Sequence, residues 1–194
     1  MDGRSGAKLP RTVSMGVIRP NSFRRGTAVA LALLLAGCVD SAAPLLGDAK
    51  PLFGPTVRLH GYTMTEGQAS GPEVGTFRWD GAQYRVVGRP TFDVAVFTAI
   101  AFAGDDLIVQ AKSSRPKIKG IEYALAHKLA DGVYQMSAID EADADEATRA
   151  KFCGPGGSSS CRVATSEALL AFARATAAKP FRIGSLAIVA KHGR

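Results

Sequence analysis

Apolar and polar residues alternate along much of this chain, and Asp-Gly pairs interrupt the alternation. A period of two puts successive side chains on opposite faces of a sheet, so such stretches fold as strands. Val57, Leu59 and Gly61 alternate with Arg58, His60 and Tyr62, and Phe77 and Trp79 alternate with Thr76 and Arg78. Asp80-Gly81 follows, and Tyr84 and Val86 resume the pattern. Further on, Ile121, Tyr123, Leu125, His127 and Leu129 share one face, Asp131-Gly132 turns the chain, and Val133 to Ile139 returns. Both positions of an Asp-Gly pair tolerate positive φ, which marks each pair as a hairpin. Short turns between successive strands give antiparallel neighbours and hence a meander.

Between these hairpins lies Phe92 to Ala103, mostly apolar, with Asp93 its only charge. Val94, Val96, Ile100 and Phe102 suit one face, and Ala95, Phe97, Ala99 and Ala101 the other. A strand apolar on both faces is central and covered on each side. A buried helix is the rival, because alanine is plentiful. The strand is preferred because Gly104-Asp105-Asp106 then forms a hairpin into Leu107–Lys112.

The last third changes period. Asp140 to Lys151 is alanine-rich, with acids early and Arg149 and Lys151 late, an order that suits a helix dipole. Thr165 or Ser166 can cap a second helix, with Glu167 in its first turn and an apolar stripe of Leu169, Phe172, Ala173 and Ala177. Lys179-Pro180 ends it, and Phe181 to Ala190 reads as a final strand. Strands, then two helices, then one strand define an α+β fold: an antiparallel β-meander, curved or barrel-like, over residues 56–194.

Residues 1–37 hold Arg4, Lys8, Arg11, Arg19, Arg24 and Arg25 against the single acid Asp2. Taking these from the 24 bases and 17 acids of the chain leaves 18 against 16 from Cys38 onward, so the net charge of +7 belongs mainly to the leader. A domain this balanced is unsuited to polyanions, and nucleic acid is excluded as a partner. Arg24-Arg25 precede the uncharged run Thr27 to Leu35, and Leu35-Ala36-Gly37-Cys38 follows. A helix crossing a bilayer takes about 20 residues, so a run this short suits a secretory signal instead.

Leu35-Ala36-Gly37-Cys38 resembles the lipobox of bacterial lipoproteins: Leu, a small residue, Gly or Ala, then Cys. The resemblance implies a diacylglyceryl group on the Cys38 thiol and cleavage before Cys38. Two or more acyl chains then give stable anchoring, at about 0.8 kcal/mol per buried methylene. The start codon is either Met1 or Met15, and Phe23-Arg24-Arg25-Gly26 only loosely resembles a twin-arginine signal. In enteric-type sorting an Asp directly after the cysteine resembles an inner-membrane retention signal. Here Val39 follows Cys38 and the Asp comes next, at Asp40, so the outer membrane is favoured, with the domain facing the periplasm. Residues 38–55, with Pro44, Pro51, Pro55, Gly47 and Gly54, are expected to form a semi-extended tether of roughly 50 Å, at about 3.1 Å per residue. Leu45-Leu46 and Leu52-Phe53 are the places where it could dock.

With Cys38 lipidated, Cys153 and Cys161 remain, joined by the small, flexible Gly154–Ser160 loop. Export favours a disulfide between them, contributing on the order of 2–3 kcal/mol. A metal pair is the rival, but it lacks further ligands at zinc spacing. The Gly154–Ser160 loop carries neither a phosphate-binding ending nor a hydrolase elbow. The acidic run Asp140–Glu146 lacks the central glycine and terminal glutamate of an EF-hand loop. His60, His127 and His192 are far apart in sequence, and His127 is expected to be a satisfied core histidine. Trp79 and the tyrosines are expected in sheet packing, and Arg115–Lys119 as a solvated basic turn able to touch anionic lipid heads.

No catalytic residue, metal or cofactor is expected. The sequence points to a membrane-anchored envelope module that binds another envelope protein or a wall component. The alternative is a ligand-carrying or hydrolytic periplasmic domain with a pocket in the sheet.

Overall fold

The computed structural model describes residues 39–65, 68–91, 93–153, 161–180 and 186–192, with only the backbone at 63–70 and 186–192. In chain order the strands are β1 (Val39–Ser41), β2 (Thr56–Thr65), β3 (Gln68–Trp79), β4 (Tyr84–Val87), β5 (Val94–Ala101), β6 (Leu107–Ser113), β7 (Ile121–Ala130), β8 (Val133–Ala138), β9 (Cys161–Arg162) and β10 (Leu186–His192). The helices are α1 (Glu146–Phe152) and α2 (Ser166–Ala177). The fold is α+β, with a mostly antiparallel sheet.

Consecutive strands from β2 to β8 pair in antiparallel order, and β10 lies between β8 and β2. Because β6 pairs with both β5 and β7, each of these eight strands has a neighbour on either side and the pairings run in a circuit. The circuit is thinnest at β4–β5, where only Tyr84↔Phe97 and Arg85↔Val96 pair. Within Phe92–Ala103 the stretch Val94–Ala101 is strand, not helix; Phe92 itself lies outside the described residues. So do residues 181–185 of the expected last strand.

The Asp-Gly hairpins form by a different device from the expected one. Only the glycines take positive φ, Gly81 at 105° and Gly132 at 72°. Asp80 instead uses its carboxylate, accepting from the backbone N–H of Ala82 and Gln83. At the second pair the offset is absorbed by an irregularity between Lys128 and Ala130. The segment Asp140–Lys151 is not one helix. A 3-10 turn at Glu141–Asp143 comes first, and α1 starts afresh at Glu146. The cause is local: Asp140 accepts from Ala142 N–H and Asp145 from Thr148 N–H, and short acids that bond nearby backbone favour caps over helix interiors. In α2, Thr165 is the cap, and Thr176 takes the buried place expected of Ala177, its hydroxyl accepting from Asp140 N–H.

Two cores result. Inside the circuit lie Val57, Leu59, Phe77, Tyr84, Phe97, Ala99, Leu107, Ala111, Ala124 and Ala126. Outside it, Ile108, Ile121, Tyr123 and Leu125 from β6 and β7 pack under Leu169, Phe172 and Ala173 of α2. The same two strands therefore bury both faces.

Residues 39–55 are not a free tether. Val39 and Ser41 are fully buried in β1, which pairs antiparallel with β7 and parallel with β9. Gln110 Oε1 accepts from the N–H groups of Leu45 and Leu46, and Leu46 is buried beside α2. Ser166 Oγ donates to Leu45 carbonyl, and Ser41 Oγ shares a hydrogen bond with Tyr123 hydroxyl. Phe53 then turns into the far end of the circuit. Its N–H donates to Tyr84 hydroxyl, which donates onward to Gly54 carbonyl, and its ring contacts Tyr84, Phe97 and Tyr134. The prolines and glycines of this stretch bend it along the sheet. The apolar pairs Leu45-Leu46 and Leu52-Phe53 decide the outcome, each giving one buried side chain.

Candidate functional site

The interior of the circuit is aromatic at one end. Phe53, Phe77, Trp79, Tyr84, Phe97 and Tyr134 meet there, with Tyr84 and Phe97 stacked at 4.8 Å and Phe77 edge-on to Phe97 at 5.0 Å. At the other end, where β7 begins and β6 finishes, most of the described inward-facing positions are small or acidic, with Val94 of β5 beside them opposite Ser113. Gly61, Gly75, Ala111, Ser113 and Ala124 line this part by strand alternation, with Glu73 from β3 and Glu122 from β7.

Glu122 is inward because Ala124 and Ala126, at alternate positions on the same strand, belong to the inner core. It is 8% exposed, and its Oε2 has no hydrogen-bond partner among the described residues. Burial, with the neighbouring Asp40 carboxylate adding to it, pushes the Glu122 carboxyl up to about 7. Glu73 faces inward with Gly75 and Phe77. Its Oε2 is likewise buried without a partner among the described residues. Burial raises its carboxyl above the usual range, Asp93 raises it further, and Arg115 opposes the shift. Arg115 is itself ion-paired with Asp93, and Ser113 Oγ accepts from Arg115 N–H, so this corner is a small polar cluster.

The strand register sets these two glutamates against each other. From Glu122 the partners run through Ala111, Phe97 and Tyr84 to Trp79, the end of β3. The opposite way round, Ala126 leads through Met136, Leu186 and Thr63 to Ser70, and Glu122 lies four residues further up its strand than Ala126. That second route therefore reaches the start of β3. In a ring of tilted strands the residue level with the starting point lies midway between the two arrivals. Midway along Gln68–Trp79 is Glu73.

β1 sits beside this end. Asp40 is the direct partner of Glu122, and Arg162 of β9 grips the Asp40 carboxylate through Nε and Nη2, at 3.0 and 3.1 Å. Gly120 lies next door, where a Cβ would come 3.2 Å from Asp40 Oδ2 and push that carboxylate by a few tenths of an ångström. Val39 pairs with Cys161, which is disulfide-bonded to Cys153 across a Cα–Cα distance of 5.0 Å. Cys38 itself lies outside the described residues. A Glu141 carboxylate oxygen lies within 4.8 Å of both sulfurs of the disulfide, where no thiolate is on offer.

The histidines are not in this region. His127 lies near the opposite end of β7, its side chain 42% exposed, with Nδ1 2.7 Å from Asp106 Oδ1. It is an ion-pairing surface residue rather than the core histidine expected, because the outer core ends at Leu125. His60 is half-buried on the outer face of β2, and His192 lies opposite Val57 in β10. Lys117 and Lys119 of the basic turn are exposed as expected. Glu73 and Glu122 were not singled out by sequence reading. The available signal was a glutamate at the inward parity of an otherwise apolar strand.

Among the described residues no helix is long and apolar enough to cross a membrane. No family model matches this chain, and neither a curated protein nor a solved structure matches it.

Proposed function

We propose that this chain is a lipid-anchored, non-enzymatic binding module of the bacterial cell envelope. It faces the periplasm, with the outer membrane favoured, and is held there by lipid on Cys38. The observation that carries this reading is at Val39, directly after the lipobox cysteine. Val39 is fully buried, in register with the disulfide-bonded Cys161. Cleavage before Cys38 would leave an acylated residue tied to the sheet by its immediate neighbour. Anchor and domain would then move as one body. The disulfide, which suits an oxidising compartment, supports export.

Buried carboxylate oxygens inside the sheet, without partners among the described residues, favour a ligand-carrying form of this reading over one limited to protein contacts. The test is metabolic labelling with a palmitate analogue. The natural chain takes up label and fractionates with membranes, and Cys38→Ser does neither. Undiminished label in Cys38→Ser would overturn the anchor.

A further inference from the structure

We infer that the end of the interior walled by Glu122 and Glu73 is a binding site for a small organic cation, an ammonium or guanidinium compound spanning the two carboxylates. The inference deepens the ligand-carrying form of the proposed function and is independent of the lipid.

Glu122 is more than nine-tenths buried on the inner face, and its Oε2 meets no donor among the described residues. A buried acceptor left without a donor costs on the order of 1–3 kcal/mol, more for a charged group, so its persistence here requires an explanation. A donor arriving with a ligand supplies one. Glu73 presents a second such oxygen from the opposite wall at the same level. Around them Gly61, Gly75, Ala111 and Ala124 take up little room. An eight-stranded ring is just wide enough to be filled by side chains or to hold one small ligand, and residues this small beside the two glutamates are what a ligand there would require.

Charge and geometry select the ligand. Two acids facing each other repel anions. A bare divalent ion bonds its oxygens at about 2.0–2.6 Å and cannot reach carboxylates on opposite walls together. Consistently, neither glutamate belongs to a metal-competent group among the described residues. An ammonium brings three donors and a guanidinium five, and a short diamine carries one charged end for each wall. Phe77 follows Glu73 and Gly75 on the inner face of β3, so the aromatic cluster bounds this half of the interior.

Among the described residues the charged groups around Glu122 are few. Asp40 faces it from β1 and is held by Arg162 of β9, β6 contributes Ala111, and Glu73 lies opposite. Glu122 gives up its proton around 7, so a cation binds more tightly as pH rises through that value.

The experiment is calorimetric titration of the mature lipoprotein in detergent with putrescine, the uncharged diol of the same length, and magnesium chloride. The inference requires saturable binding of putrescine and none of the diol. Glu122→Gln and Glu73→Gln each weaken binding at least about tenfold, whereas Asp105→Asn, exposed at the far end, leaves it unchanged. Affinity rises between about pH 5 and about pH 8 in the natural chain and rises much less in Glu122→Gln, where Glu73 alone titrates. A melting curve shows each variant folded; should Glu122→Gln not fold, Glu73→Gln decides alone. Absence of putrescine binding, equal binding of magnesium alone, or unaltered binding in a folded glutamate variant overturns the site. A failed titration with palmitate label intact leaves the anchored module standing, and the reverse result leaves the cation site standing.

Discussion

Glu122 makes the stability of this fold depend on pH in an unusual direction. Its carboxyl is moved from 4.5 to about 7, first by burial and then by Asp40. A carboxyl raised in the folded state stabilises the fold fully below its unfolded value, and that contribution fades as pH rises to the folded value. The window is therefore from 4.5 to about 7, with a loss on the order of 3 kcal/mol across it. Urea midpoints measured at about pH 5 and about pH 8 should fall toward the higher pH in the natural chain. Glu122→Gln, which keeps the shape and cannot ionise, should remove most of that difference. An unchanged slope would place the titration elsewhere. The sequence showed the face shared by Ile121, Tyr123 and Leu125 but not what Glu122 would meet. In an ordinary meander, one face packs on the core and the other is wet, so a glutamate opposite those residues belongs in water. Only the β6–β7 pairing in a circuit turns that second face inward. No local pattern encodes such closure.

At the level of elements, the strands were legible because each carries its own period and its own turn. The helices were legible where a cap and an apolar stripe coincide, as in α2. The segment before β2 was not, because its docking depends on contacts distant in sequence: Gln110 with Leu45 and Leu46, and Tyr84 with Phe53. These contacts give two predictions. Tyr84→Phe removes the hydroxyl that accepts from Phe53 N–H and donates to Gly54 carbonyl. It removes two hydrogen bonds from a part-buried turn, and should lower stability by about 1–3 kcal/mol in chemical denaturation. Phe53→Ala empties the ring from an aromatic cluster and should cost about 3–5 kcal/mol. If residues 47–55 were loosely held, both changes would be close to neutral. Gln110→Leu tests the other attachment. Amide exchange at Leu45 and Leu46 should accelerate selectively, while exchange in β2 and β3 stays slow.

For the molecule as a whole, the same contacts decide whether the domain starts at Thr56 or already at Val39. A chain beginning at Thr56 would keep the eight-strand circuit but lose Val39, Leu46 and Phe53, which are 0%, 9% and 8% exposed. Burying side chains of this size contributes roughly 1.5–3 kcal/mol each, so for the three the deletion removes about 5–9 kcal/mol as an upper estimate. A domain of this size is stable by only about 5–15 kcal/mol in total. The deletion also strips β9 of its partner β1 and Arg162 of Asp40, leaving the disulfide to hold β9 to α1 alone. The shortened chain is therefore expected to melt far below the full mature domain, or not to fold. A chain beginning at Val39 should melt like one that keeps Cys38, because its buried contacts start at Val39. Thermal melts of the two truncations, under oxidising conditions that keep Cys153 joined to Cys161, separate the alternatives. Equal melting of the Thr56 chain and the full domain would mean that residues 39–55 are a tether after all. The proposed anchor at Cys38 would then leave the domain free to swing instead of holding it close.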